Sequence, residues 1–186
     1  MDTPTPAPPA AELTPRAAEL ATRLVCNLHR MPREHFVRGT AYESLTAQLG
    51  AGARHSAARQ IGLTVDTVPP GKRSCPYHLH HAQEEMFIVL QGHGTLRVAG
   101  EHIPIGPGDV IAIPAGPEYP HHILNTSSEP LQYLSLSTRQ LPEVCEYPDS
   151  NKVLAFSARD GQHTCYQMHR RDDQGGLDYW DGEPGA

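Results

Sequence analysis

Between Tyr77 and Gly92 the chain reads Y-H-L-H-H-A-Q-E-E-M-F-I-V-L-Q-G, setting three histidines and two glutamates just ahead of a short apolar run. His78 and His80 are two residues apart, so on a strand both rings leave the same face. Glu85 shares one face of the following run with Phe87 and Val89 by the same period. Two neutral imidazoles and a carboxylate on facing strands can hold a divalent metal ion, because each offers it a lone pair. The competing reading of this stretch is a solvated His-rich loop before a core strand.

A second stretch, Gly108–Asn125, reads G-D-V-I-A-I-P-A-G-P-E-Y-P-H-H-I-L-N. It supplies a Gly-Asp turn, an apolar strand, a Pro-x-Gly turn and a strand carrying His121 and His122. Together the two stretches resemble the paired signature motifs of the cupin superfamily. The first motif's order of Gly, His-x-His, Glu and Gly falls here on Gly71, His78, His80, Glu85 and Gly92. The second motif's Gly, Pro-x-Gly, His and Asn falls on Gly108, Pro114, Gly116, His121 and Asn125. Six residues rather than five separate Gly71 from His78, and four rather than two separate Gly116 from His121. Both extra lengths lie in loops, where insertions are tolerated. The match runs over residues 58–137. More loosely, the chain is similar to uncharacterised bacterial single-domain cupins that share a Y-P-D-S stretch (147–150) and a D-Y-W-D-G-E tail (178–183).

Neighbouring residues on a regular strand face opposite ways, so one of Glu84/Glu85 and one of His121/His122 faces inward. The resemblance and the strand parity both select Glu85 and His121. The expected metal ligands are therefore His78, His80, Glu85 and His121, holding a divalent Fe, Mn, Ni or Zn ion. Four protein ligands leave about two positions open on a six-coordinate ion, enough for substrate or water. Some cupins keep the shape and use the histidines without metal, which is the rival reading. Gly92, Gly108 and Gly116 read as turn residues and Asn125 as a packing or backbone-bonding residue. Arg97 and Tyr133 could meet a ligand if they face inward. Cys75, three residues before His78, reads as an inert thiol, and His93, His102 and His163 read as turn or surface residues.

The elements that must position these groups are short strands. The 186 residues include 18 prolines and 16 glycines, a turn content suited to many of them. Strands are expected at 59–68, 78–80, 85–91, 95–99, 102–105, 110–113, 119–125 and 131–137. In the first, Ile61, Leu63, Val65 and Thr67 share a face. About eight strands between Gly/Pro turns suit a jelly roll, and the resemblance implies the same all-β, double-stranded β-helix barrel. Residues 1–12 are Pro/Ala-rich and read as disordered. Residues 13–57 hold a short N-terminal helical segment, capped at Thr14-Pro15 and running over Arg16–Val25, and an outer strand at 40–49, with 31–39 as loop. Residues 58–137 are the barrel core, and 138–186 form a C-terminal extension packing on the barrel. Lys152–Ser157 is expected to add one outer strand, and Tyr179-Trp180 to tuck onto the barrel.

A formal net charge of −6 offers no basic footprint for nucleic acid. No apolar run approaches the length that spans a bilayer. The first ten residues show neither the charge nor the apolar core of a secretion signal. Cys26, Cys75, Cys145 and Cys165 are widely spaced. The expectation is a cytoplasmic protein with reduced thiols. The strand Met86–Leu90 is apolar on both faces, so its outer face should be covered by the segment around Leu20–Val25 or by a second subunit, and a homodimer is the favoured version. The functional expectation is a metal-dependent enzyme of dioxygenase, isomerase or decarboxylase type acting on a small polar molecule. The alternative is a small-ligand binding or sensing module with the same metal site.

Overall fold

A computed structural model describes residues 13–51, 53, 56–159 and 162–170. Helix α1 (Pro15–Leu24) starts as the sequence predicts, with Thr14 Oγ1 accepting the Ala17 amide and Pro15 at the first helical position. It buries none of its residues. Thirteen strands follow among the described residues: β1 (Glu34–Arg38), β2 (Tyr42–Gln48), β3 (Ile61–Val68), β4 (Leu79–His80), β5 (Glu85–Gln91), β6 (Gly94–Val98), β7 (Glu101–Ile105), β8 (Val110–Ile113), β9 (His121–Leu124), β10 (Leu131–Thr138), β11 (Glu143–Tyr147), β12 (Lys152–Arg159) and β13 (Gln162–Arg170). Eight of them, β3 to β10, fall where the alternation and Gly/Pro turns place them.

The strands form a two-layer jelly roll. One layer is a six-stranded sheet in the order β1-β2-β3-β10-β5-β8. The other consists of β13-β12-β11-β4 and β7-β6-β9. A single antiparallel bridge joins these two pieces: the His78 amide donates to the His121 carbonyl at 3.1 Å and the His121 amide to the His78 carbonyl at 2.7 Å. Both histidine-bearing motifs are thus pinned to each other through backbone. The turn at Gly92 has φ 79°, and a Cβ there would collide with the Pro130 carbonyl. Both the turn and the close approach of a second chain segment require glycine.

The barrel core packs Val68, Phe87, Val89, Leu96, Ile105, Ile113, Ile123, Leu131 and Tyr133 between the layers. A smaller cluster of Ala47, Leu49 and Val65, with Leu28, Met31, Leu63 and Leu134 against it, lies on the outer side of the large sheet. The apolar set of β3 therefore faces outward, under the Leu28–Met31 segment, while Asp66 and Val68 face the interior.

The structure differs from the sequence expectation in three places. The supposed loop 31–39 contains β1, whose residues are all exposed and pair with β2 in register Phe36↔Ser44. The region after 137 contains β11 and β13 as well as β12, and β11 pairs directly with β4 in register Cys145↔His80. Segment 143–170 thus extends a sheet through its own hydrogen bonds. Lastly, α1 does not cover β5, whose Met86 is 40% exposed. The expected packing of Tyr179 and Trp180, and the side chain of His163, lie outside the described residues.

Candidate metal centre

Each histidine of the first two motifs is oriented by what holds its Nδ1. His78 Nδ1 donates to the Pro76 carbonyl at 2.9 Å, and His121 Nδ1 donates to the Tyr119 carbonyl at 3.0 Å. In both cases a carbonyl two residues back fixes the ring and leaves Nε2 directed inward. His80 sits on β4 with its Nδ1 3.3 Å from Cys145 Sγ and 3.7 Å from Glu143 Oε1. Its Nε2 faces the same centre.

These three Nε2 atoms surround one carboxylate oxygen. Glu85 Oε2 lies 2.8 Å from His121 Nε2, 3.5 Å from His80 Nε2 and 3.6 Å from His78 Nε2. The ligand atoms of His78, His80 and Glu85 all fall within 4.8 Å of one another, and His121 adds a fourth. Three imidazole nitrogens, two of them on rings whose Nδ1–H is held by a backbone carbonyl, and one carboxylate form a donor set suited to a divalent transition metal. All four sequence-nominated residues are brought together.

The charge state fits a shared site. Burial pushes Glu85 upward, but the hydrogen bonds from His121 and His78 and the nearby His80 outweigh it and hold the carboxyl well below its usual range. Burial pulls His78 down, but Cys75 and Glu85 outweigh it and raise the ring above its ordinary value. His80 is lowered, chiefly by burial. Divalent ion and proton would compete for these same lone pairs.

The residues expected to point away do so. Glu84 is exposed, and His122 is buried on the opposite face of β9, edge-on to Tyr77 with ring centroids 5.4 Å apart. Neither ring nitrogen of His122 has a hydrogen-bond partner, and burial, with Arg73 and Arg97 nearby, lowers it to about 4. Asn125 is structural: its amide donates to the Val68 and Glu129 carbonyls at 2.8 Å each, and its oxygen accepts from Ser127. Arg97 faces away from the centre, paired with Asp149 at 2.6 Å and stacked over Tyr77. His93 and His102 are exposed, as expected.

Beside the cluster lies a cavity of about 360 Å³ whose lining includes His78, Glu85, Cys75, Asp66 and Tyr133. Sequence reasoning offered Tyr133 conditionally, and it does face inward, its hydroxyl 2.7 Å from Ser74 Oγ. Asp66 and Ser74 were missed. The signal for Asp66 was available in its parity, opposite to the apolar set of β3, once that set is recognised as the outer face. Burial raises the Asp66 carboxyl above its ordinary value despite hydrogen bonds from Thr46 and Thr64 and the nearby Arg33 charge. Burial also raises the Tyr133 phenol, so it stays protonated.

The cupin domain profile matches residues 64–137. Auxin-binding protein T92 of Nicotiana tabacum is 30% identical over 168 residues, covering 81% of this chain and 84% of that protein. Auxin-binding protein 1 of Arabidopsis thaliana is 29% identical over 135 residues, covering 68% of this chain and 64% of the relative, just under two thirds of its length. A crystal structure from Acidithiobacillus ferrooxidans, provisionally named a sugar phosphate isomerase, superposes with a TM-score of 0.67 at 29% identity, over 84% of this chain and 97% of that one. The domain match, the relative aligned over most of its length and the His/Glu cluster inside a jelly roll agree: the chain belongs to the cupin superfamily.

Proposed function

We propose that this cupin is a metal-dependent enzyme that acts on a small polar molecule in the cavity beside His78, His80, Glu85 and His121, those four residues being the ligands of a divalent ion. One observation carries the reading: the cavity that exposes His78 and Glu85 also exposes an acid, Asp66, and a phenol, Tyr133. Ligand capture needs only shape and a few polar contacts, whereas conversion needs groups that hold or move protons near the reacting atoms. A bound divalent ion would supply Lewis-acid polarisation of a substrate oxygen. The chain's own part is to position that substrate and manage its protons. Tyr133, protonated and 2.7 Å from Ser74 Oγ, can donate its proton to a ligand in the cavity while it accepts from the Ser74 hydroxyl. Asp66, ionised but made more basic by burial, can accept a proton from a substrate hydroxyl or carbon and return it.

The names of the plant relatives support a second reading, a binding module that holds a small molecule without converting it. Elemental analysis of the purified protein, joined to mass spectrometry of any co-purifying molecule before and after incubation with metal-loaded protein, separates the two. Metal at about one ion per chain with conversion of the molecule supports the enzyme. Its recovery unchanged supports the binding module, and protein free of metal after purification from metal-supplemented medium overturns the metal reading.

A further inference from the structure

The wall of the cavity is unusual in what it offers a ligand. Five hydroxyls, from Ser44, Thr46, Ser74, Tyr133 and Ser135, line it together with the Asp66 carboxylate. Among the described lining residues none is Lys or Arg. Arg33, whose charge reaches Asp66, donates instead to Thr67 Oγ1 at 2.8 Å, on the other face of β3.

Asp66 is held in a defined orientation. Thr46 Oγ1 donates to its Oδ1 at 2.5 Å and Thr64 Oγ1 to its Oδ2 at 2.6 Å. Each carboxylate oxygen offers about two acceptor positions, so each keeps one for a ligand. Two adjacent acceptors fixed by two hydroxyls match a pair of neighbouring ligand hydroxyls. The Tyr133–Ser74 pair adds a third polar contact across the cavity. Phe36 and Phe87 give the same space two apolar surfaces for the carbon skeleton.

We propose that the cavity binds an uncharged polyhydroxylated compound, with two neighbouring hydroxyls donated to Asp66 and a further oxygen on the Tyr133–Ser74 pair. The inference rests on the functional reading only in taking this cavity as the ligand site. It separates this chain from a phosphate-ester substrate of the kind that the Acidithiobacillus protein's name implies. An anionic group here would be desolvated against Asp66 and Glu85 with no lining Lys or Arg to offset it, and His78, the basic ring in the lining, is already paired with Glu85 at 3.6 Å, so its entry is unfavourable. A divalent ion at the cluster would balance the two carboxylates and leave no surplus positive charge for an anion.

The test measures binding to the intact protein by calorimetry, in chelated and in metal-supplemented buffer. Glycerol, erythritol, xylitol and sorbitol are each compared with the terminal phosphate ester and the terminal amine of the same alditol. The tightest alditol is expected to bind at least about tenfold tighter than its phosphate ester and no weaker than its amine. Asp66→Asn, which keeps the shape but replaces one acceptor with a donor, should weaken that alditol at least about tenfold, as loss of a charge-assisted hydrogen bond does. Tyr133→Phe removes only the phenol oxygen and should weaken it less. Melting curves confirm that each variant is folded, and if Asp66→Asn fails to fold, Thr46→Val and Tyr133→Phe provide the same comparison. A phosphate ester or an amine as the tightest probe overturns the proposal. So does alditol binding that is absent, or unchanged in the folded variants. Because the ranking is also measured in chelated protein, loss of the metal reading by elemental analysis would leave the ranking intact, and the reverse.

Discussion

Cys145 Sγ lies 3.3 Å from His80 Nδ1. Burial, with Glu143 and Glu85 nearby, pushes this thiol up to about 12, so it keeps its proton and can donate it toward Glu143 Oε1 at 4.0 Å. Its sulfur is then free to accept from the His80 ring. Glu143 itself is buried at 1% exposure and accepts the His81 amide at 2.9 Å and the Ala82 amide at 3.2 Å. The two β11 residues thus do for His80 what backbone carbonyls do for His78 and His121: they select the tautomer that leaves Nε2 for the centre. Partners of this type typically govern metal affinity by about 10–100-fold. Glu143→Gln should weaken binding of a divalent probe such as Co²⁺ roughly tenfold or more by chelator competition, and Cys145→Ser should do so less. Unchanged affinity in folded Glu143→Gln protein would show that His80 is held without Glu143.

The raised His78 and depressed Glu85 predict opposite pH trends for metal-free and metal-loaded protein. A histidine raised on folding contributes stability that is complete below its unfolded value of about 6.5 and is lost as pH rises through its folded value. A carboxyl lowered on folding contributes stability present above about 4.3 and lost only as pH falls toward its folded value. The pair therefore supports the metal-free protein best between about pH 4.3 and 6.5. Metal must displace the His78 proton, so its affinity should already fall as pH drops through the raised His78 value, above the usual histidine range. The rise in melting temperature caused by metal should grow steadily between pH 6 and pH 8. A gain independent of pH would remove the histidines from the ligand set.

Asn125 tests a structural role within the second motif. All four of its side-chain hydrogen bonds are satisfied internally, tying β9 to the end of β3 and to the 127–129 turn. Asn125→Ala removes the donor to the buried Val68 carbonyl and the acceptor of the Ser127 amide and hydroxyl, while the Glu129 carbonyl keeps Ser127 Oγ, at a cost of about 1–3 kcal/mol for each group that stays dry. For a domain of this size each kcal/mol corresponds to roughly 2–4 °C of melting temperature. A drop of that order or larger is expected, with metal content per chain unchanged. Loss of metal in protein that still melts normally would instead place Asn125 in the site.

What the sequence made legible follows from which residues carry a periodic or punctuating signal. Glycine and proline turns bracket strands such as β5 and β8 so tightly that their ends are read directly. The spacing of His78, His80 and Glu85 needed only strand parity to be understood. β1, with the sequence E-H-F-V-R, is exposed throughout, so it has no buried face to imprint an alternation. β11, with E-V-C-E-Y, buries Glu143 and Cys145, and a strand whose inward residues are an acid and a thiol does not resemble a core strand. Asp66 was hidden for the opposite reason: the evident apolar face of β3 is the outer one, covered by Leu28 and Met31.

That outer face also motivates a prediction about assembly. Ile61, Met86, Ala112, Pro114 and Leu136 line an apolar trough of about 330 Å³ on the large sheet. Met86 is 40%, Ile61 52% and nearby Val110 60% exposed, and α1 leaves them uncovered. Contiguous apolar surface of this type on one sheet face marks an association surface. We expect a second copy of the chain to occupy it. Light scattering should give a dimer mass for the wild type and a monomer mass for Met86→Glu. A wild-type monomer at micromolar concentration would sink the idea.

The sharpest test concerns the two ambiguous neighbours, Glu84/Glu85 and His121/His122. Strand parity makes one member of each pair face the centre, and a β-bulge at either place would exchange them. Pro120, next to His121, is the kind of residue that introduces such an irregularity. The pairing through both positions is nevertheless regular, Glu85↔Ile113 on one side and His121↔Val98 on the other. Glu85 and His121 thus meet at 2.8 Å, whereas Glu84 is exposed and His122 packs on Tyr77. Glu85→Gln and His121→Ala should each lower metal affinity by more than the roughly 10–100-fold expected of outer partners. Glu84→Gln should change neither affinity nor stability. His122→Ala separates the two readouts: deleting a buried ring next to Tyr77 should lower the melting temperature by several degrees, as a core truncation does, while leaving metal content per chain near normal. If His122→Ala empties the site and His121→Ala does not, the register of β9 is off by one residue and the fourth ligand is His122.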